Sequence, residues 1–190
     1  VVGYSSSANS GTGYEAMRWT AASGMVGLGD LPGGIFSSFA NAVSADGSVI
    51  VGHSSSGNGT EAFRWTEAAG MDGLADLPGG YFSSSATSVS ADGQVVVGYG
   101  SSLLSGARWE AFRWTTNGME GLGDLEGGDF DSRAWCVSAD GSVVVGESRS
   151  YEGNEAFRWT TASGMLGLGD LPDGNFNSIA YGVSADGSTI

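Results

Sequence analysis

The chain has 190 residues with 34 glycines and only 3 prolines, and its formal net charge is −14 because 21 acidic residues face 7 basic ones. Every basic residue is Arg, and with so strong an acidic excess phosphate-rich nucleic acids and anionic membranes are poor partners. A hydrophobic content of 41% with 11% aromatics supports a packed core rather than disorder, and no segment has the roughly 18 consecutive apolar residues of a membrane helix.

The chain repeats itself. The phrase Glu15-Ala16-Met17-Arg18-Trp19-Thr20 returns at Glu61–Thr66, Glu110–Thr115 and Glu155–Thr160. Val-Ser-Ala-Asp-Gly returns with its Asp at Asp46, Asp92, Asp140 and Asp186, spaced 46, 48 and 46 residues apart. The slack lies mainly in Ser/Gly-rich stretches (5–12, 54–60, 100–107 and 148–154), which therefore read as loops. The units run approximately 1–36, 37–82, 83–130 and 131–176. Residues 177–190 form a half-unit expected to pair with the N-terminus or with a neighbouring copy. Val1 and Ile190 fall at the same repeat position, which predicts either ring closure or a window from a longer array. The missing initiator Met and leader fit a processed or partial chain.

Within the second unit, 40–45 reads as a strand, Asp46-Gly47 as a hairpin turn and 48–53 as a β-branched buried strand. Residues 61–66 form a third strand, with Ala62 and Arg64 on one face and Phe63 and Trp65 on the other. Residues 71–77 form a fourth, interrupted by Gly and Asp, and Pro78-Gly79-Gly80 makes the passage to the next unit. The fold class is all-β: four tandem, four-stranded antiparallel meanders, of the length of β-propeller blades. A β-solenoid is the competing architecture; its coils are shorter and lack repeated hairpins. Propellers have roughly 4–8 blades, so a closed four-blade ring, a longer parent chain and two chains completing one ring all remain open.

The longer pattern is Glu-Ala-Phe-Arg-Trp, then Gly-Met-x-Gly-Leu-Gly-Asp-Leu-Pro-Gly-Gly, then Ser-x-Ala-x-x-Val-Ser-Ala-Asp-Gly-Ser-Val-x-Val-Gly. It resembles the HAF repeat family of bacterial extracellular proteins over essentially the whole chain. Glu15, Glu61, Glu110 and Glu155 stand where that family has His. The resemblance implies a propeller-like fold and an extracellular or cell-surface location, and no established activity.

The repeated pairs Arg18/Trp19, Arg64/Trp65, Arg113/Trp114 and Arg158/Trp159 admit two readings. They could present sugar sites of stacking ring plus charged hydrogen-bond partners, or they could pack between blades with Arg paired to a repeated carboxylate. Their mid-strand position favours packing. Trp109 and Trp135 occur once each and are candidate ligand or interface contacts. Asp30, Asp76, Asp124 and Asp170 adjoin tight turns, where they cap the turn, pair with Arg or bind Ca²⁺; a calcium loop normally supplies several carboxylates, and only one recurs here. Asn58-Gly59-Thr60 is the sole glycosylation sequon. Cys136 is the only Cys, so no disulfide framework exists within the chain, and its counterparts Ala42, Ser88 and Gly182 mark a position for a small residue.

His53 is the only His; its counterparts are Tyr4, Tyr99 and Glu147, so triad catalysis has no repeated base. No catalytic, cofactor or metal residue is therefore assigned. The expectation is a non-catalytic structural or interaction module that self-assembles through its terminal half-blades, with other copies or cell-surface glycans as partners. A glycan-binding propeller is the alternative.

Overall fold

In the computed structural model, which describes residues 1–190, every regular element is a β-strand. Strands β1 (Val2–Ser5), β2 (Glu15–Thr20) and β3 (Gly24–Gly27) make a three-stranded antiparallel sheet. Three four-stranded meanders follow, and we refer to each as a blade. The first holds β4 (Gly33–Val43), β5 (Val49–Ser56), β6 (Thr60–Thr66) and β7 (Gly70–Gly73). The second holds β8 (Gly79–Val89), β9 (Val96–Ser102), β10 (Glu110–Thr115) and β11 (Gly118–Gly121). The third holds β12 (Gly127–Val137), β13 (Val144–Ser150), β14 (Asn154–Thr160) and β15 (Gly164–Gly167). Residues 177–190 lie against the third blade, where Ser178 N–H donates to the Asn154 carbonyl and Ala180 N–H to that of Gly146. The backbone bonds of β1 run to β2.

The hairpin after each first strand forms where Asp-Gly stands. Asp46 Oδ1 accepts from Ser44 Oγ (2.7 Å), Ser48 N–H (2.9 Å) and Ser48 Oγ (2.8 Å). Those bonds favour the ionised form, so its carboxyl is pulled down to about 2, as are those of Asp140 and Asp186. At Asp92 the pull is also downward, from Ser90 and the Gln94 N–H, but Gln94 supplies no hydroxyl.

The first strand is longer than its sequence announces. A strand was expected from Ala40, but β4 begins at Gly33, inside the Pro-Gly-Gly passage. Conversely, the fourth strand ends at Gly73 rather than Leu77. The chain turns there because the third residue of Gly-Leu-Gly-Asp takes positive φ, as at Gly29 (79°), and Ala75 (65°) adopts it too. The Ser-rich loop expected at 54–60 shrinks to 57–59, because β5 runs to Ser56 and β6 starts at Thr60.

A bulge recurs in each first strand. Ala40 pairs with Gly52 and Ala42 with Val51, leaving Asn41 as the extra residue; Thr87 and Trp135 hold the same place in β8 and β12. The bulge sends Ala40 and Ala42, two residues apart, into different cores. It also brings the backbones close: a Cβ on Gly98 would lie 2.9 Å from Ala86 Cα.

The cores are seams between blades rather than interiors of blades. One seam joins Val49, Val51, Ala62, Leu74 and Leu77 of the first blade to Ala86, Val96 and Phe112 of the second. The next joins Val95, Val97, Ala111, Leu122 and Leu125 to Ala134, Val144, Phe157 and Trp159. Alternation along β9 thus sends Val97 forward and Val96 back. Phe63, Phe112 and Phe157 are fully buried. A repeated Ser adds a polar staple to each seam: Ser84 Oγ accepts from Ala62 N–H (3.0 Å) and donates to the Ala75 carbonyl (2.8 Å). Ser38, Ser132 and Ser178 make the same two bonds.

Candidate functional site

The repeated polar residues are largely occupied by the fold. Glu15, Glu61, Glu110 and Glu155 each accept from a backbone N–H in the turn after the fourth-type strand, at Gly29, Ala75, Gly123 and Gly169. Asp76 and Asp170 likewise accept two backbone N–H groups each, 2.8–2.9 Å away. Burial and the neighbouring Glu carboxylates raise Asp30, Asp76 and Asp124 above the ordinary carboxyl value. No cluster of three or more His, Cys, Asp or Glu side chains is placed to hold a metal ion.

The repeated Arg residues behave unequally. Arg18 pairs with Glu67 at 3.0 Å and lies over the Trp65 ring at 4.9 Å, and Arg113 pairs with Glu120 at 3.1 Å. Arg64 donates to the Gly93 carbonyl, and Arg158 makes no ion pair. Trp65 and Trp159 are buried in seams, Trp114 packs against one, and Trp19 is exposed. Asn58 is exposed in the turn between β5 and β6. Cys136 is a free, half-buried thiol beside Val143 and Val145.

Four registers at which the units differ fall together on another face. They are Tyr4/His53/Tyr99/Glu147 on the second strand of each unit and Phe39/Ser85/Arg133/Ile179 on the first. The bulge register holds Asn41/Thr87/Trp135/Tyr181, and the residue before each repeated Glu is Tyr14/Thr60/Trp109/Asn154. Cross-strand pairing sets His53 beside Phe39, Tyr99 beside Ser85 and Glu147 beside Arg133. Stacking of blades then sets each first-strand residue against the preceding blade: Ser85 Oγ meets His53 Nδ1 at 3.2 Å, and the Arg133 guanidinium lies 6.0 Å over the Tyr99 ring.

The result is an asymmetric band. At one end Tyr4 meets Tyr14 and Phe39 edge to face at 5.0 and 4.9 Å, Tyr14 lies tilted against Phe39 at 5.7 Å, and Phe39 stacks on His53 at 4.9 Å. In the middle Tyr99 meets Trp109 at 5.3 Å and Trp135 at 5.7 Å, both near-perpendicular, and Trp135 leads on to Tyr181 at 6.2 Å. At the other end Arg133 lies between Asp131 (3.3 Å) and Glu147 (3.5 Å), and Asn154 donates to Glu147. The two unit-specific tryptophans, far apart in sequence, thus flank one tyrosine.

Two adjoining clefts open on this band. One of about 380 Å³ is walled by Asn41, His53, Ser85, Thr87, Tyr99, Trp135 and Tyr181. The other, about 210 Å³, lies among His53, Thr60, Ser83, Tyr99 and Trp109. A larger hollow of about 530 Å³, between the N-terminal sheet and the first two blades, is lined by Arg18, Arg64 and the hairpins of Asp46 and Asp92.

The bulge residue decides how each blade meets the next. Asn41 Nδ2 donates to the Ala86 carbonyl (2.8 Å) and Thr87 Oγ1 to that of Ala134 (2.8 Å). Trp135 makes no such bond, and its indole N–H is buried without a partner. Burial pushes the His53 imidazole below its ordinary value, which keeps it neutral. It hydrogen-bonds no carboxylate, so the His53–Ser85 contact lacks the group that would orient it as a base. Apart from the two tryptophans, sequence reading missed this band. The available signal was the variation between units at strand positions.

No family model matches the chain, and no curated protein matches it. Among solved structures it is similar to TolB from Acinetobacter baumannii, with 18% identity, a TM-score of 0.64 and coverage of 98% of this chain and 45% of that one. It is also similar to a putative TolB from Agrobacterium tumefaciens, with 14% identity, a TM-score of 0.57 and coverage of 83% and 55%. The chain therefore spans about half the length of these structures. At such identities the likeness speaks to fold, and the fold is that of β-propeller blades.

Proposed function

We propose that this chain is a non-catalytic recognition module working outside the cytoplasm, and that its asymmetric aromatic band is the recognition surface. The observation that carries this reading is the convergence of unit-specific residues, Trp109, Tyr99, Trp135 and His53, from three registers onto two adjoining clefts. Where four copies of a unit stack, like residues at like registers serve the stacking; unlike residues gathered on one face serve something else. The shared blade architecture with TolB and the resemblance to exported HAF-type repeats support the location. The tying of the repeated Glu and Asp side chains to backbone N–H groups supports the absence of chemistry.

The test is binding of labelled chain to intact bacteria and to their isolated envelopes. Saturable binding is expected, with at least a tenfold loss in the Trp109→Ala/Trp135→Ala double variant and none in Arg158→Ala, which alters the repeated Arg-Trp pair instead. A double variant that is folded and binds like the parent overturns the reading.

A further inference from the structure

We infer that the loop between β9 and β10, together with the same end of the neighbouring blades, docks on a zwitterionic lipid surface by inserting Leu103, Leu104 and Tyr81. This goes beyond the recognition band and uses none of its residues.

Two loops of the chain share one geometry and differ at their tips. Ser102 N–H donates to Ser105 Oγ (2.9 Å) and Ser105 N–H to Ser102 Oγ (3.1 Å). Ser7 N–H donates to Ser10 Oγ (2.9 Å) and Ser10 N–H to Ser7 Oγ (3.2 Å). The next residue takes nearly the same positive φ, 59° at Gly106 and 56° at Gly11. Arg108 N–H then bonds the Ser105 carbonyl as Gly13 N–H bonds that of Ser10. Between its two serines one loop carries Leu103-Leu104 and the other Ala8-Asn9, and all four residues are exposed. The turn therefore forms without leucine, and folding does not account for the pair.

Single exposed apolar residues are ordinary on a protein surface. Here two adjacent leucines, 74% and 67% exposed, are held out on a cross-bonded turn. Tyr81, 77% exposed, lines a groove of about 420 Å³ together with Leu103.

The registers say what this surface meets. Ile35 holds the register of Tyr81, and Tyr151 that of Leu103, and both are exposed. The cross-strand pairs Gly33–Ser56, Gly79–Ser102 and Gly127–Ser150 put all of them at one end of three successive blades. Five such side chains fall short of the ~800 Å² per partner of a stable protein interface. A second copy or a folded partner would also need a separate pocket for each blade. A lipid interface accepts separate side chains, and Tyr and Leu suit it, Tyr with its hydroxyl left among the headgroups. Charge selects the lipid. Arg108, the basic residue of the loop, is held by Asp129 at 2.6 Å, and the net charge of −14 opposes an anionic surface.

The experiment is co-sedimentation of the purified chain with vesicles of phosphatidylcholine and, separately, of phosphatidylglycerol. Saturable partition into phosphatidylcholine is expected, and at least tenfold weaker partition into phosphatidylglycerol. Leu103→Ala/Leu104→Asn copies the tip of the other loop, which the same serine pair closes, so folding is kept; at least a tenfold loss is expected. Tyr81→Ser and Ile35→Asn/Tyr151→Asn should each lose several-fold. Trp109→Ala/Trp135→Ala, in the band, should partition like the parent, so this inference and the recognition reading fail separately. No partition into phosphatidylcholine, or equal partition by Leu103→Ala/Leu104→Asn, overturns the inference. Stronger partition into phosphatidylglycerol overturns the choice of lipid. Unchanged partition in Ile35→Asn/Tyr151→Asn overturns the placement across blades. If vesicles take up no chain, yet binding to bacterial envelopes needs Leu103 and Leu104 and is lost on protease treatment, the occupant is a protein and the lipid is overturned.

Discussion

The seams between blades and the aromatic band are built from the same four units, and they use repetition in opposite ways. In the seams, Phe63, Phe112 and Phe157 occupy one buried position and Ser38, Ser84, Ser132 and Ser178 make one pair of bonds. Each seam must fit the same neighbour, so its residues cannot drift. In the band, the same register holds Tyr4, His53, Tyr99 and Glu147, and adjoining blades meet through different chemistry each time. The contrast teaches that in a repeat protein, identity between units reports on stacking, and departure from identity at a strand position reports on the face the stack presents.

The contrast can be broken most directly at Phe112. Phe112→Ala empties a fully buried seam position and is expected to cost about 3–5 kcal/mol in denaturant unfolding. Tyr181→Ala, in the band and 71% exposed, should stay within about 0.5 kcal/mol. Comparable losses would mean that the band is itself a core. A sharper version compares adjacent serines. Ser84→Ala leaves the Ala62 N–H and the Ala75 carbonyl without their partner and is expected to cost about 1–3 kcal/mol, whereas Ser83→Ala removes a hydroxyl that bonds nothing. Equal costs would remove the staple from the account.

Protonation separates the regions by a smaller effect. Asp46, Asp140 and Asp186 are held at about 2 against an ordinary 3.8, so their contribution is complete above the ordinary value and fades as pH falls from there towards 2. His53 is held below its ordinary 6.5, so the neutral form is the folded one. Its contribution is complete above that value and declines as pH falls below it. Melting temperatures should therefore show a mild decline below about pH 6.5 that His53→Gln abolishes, and a second decline below about pH 4 that it leaves intact. A single decline near pH 4 in both proteins would count against a buried, neutral His53.

Much of the blade was legible locally. Asp46-Gly47 formed its hairpin because Gly accepts positive φ and Asp caps it, and alternation in Glu-Ala-Phe-Arg-Trp assigned Ala62 and Phe63 to opposite seams. The early start of β4 at Gly33 was not legible, because Pro-Gly-Gly is turn chemistry and pairs as a strand only when β5 lies beside it. The partner of Glu61 was not legible for a similar reason: the Ala75 N–H is 14 residues away and comes near only when the turn folds back. His53 was set aside because its counterparts differ, and that difference is what the band has in common.

By itself the sequence determined the repeat, its strands and the side of each strand that is apolar, since these follow from side-chain alternation and turn preference within a few residues. Tertiary structure alone decided which registers meet. A bulge at Asn41, Thr87 and Trp135 reverses the facing of each first strand; pairing of β9 with β10 within the second blade sets Trp109 beside Tyr99, and stacking of the third blade on the second sets Trp135 against it. The Trp135 contact spans separate blades, and no rule of local periodicity reaches across it.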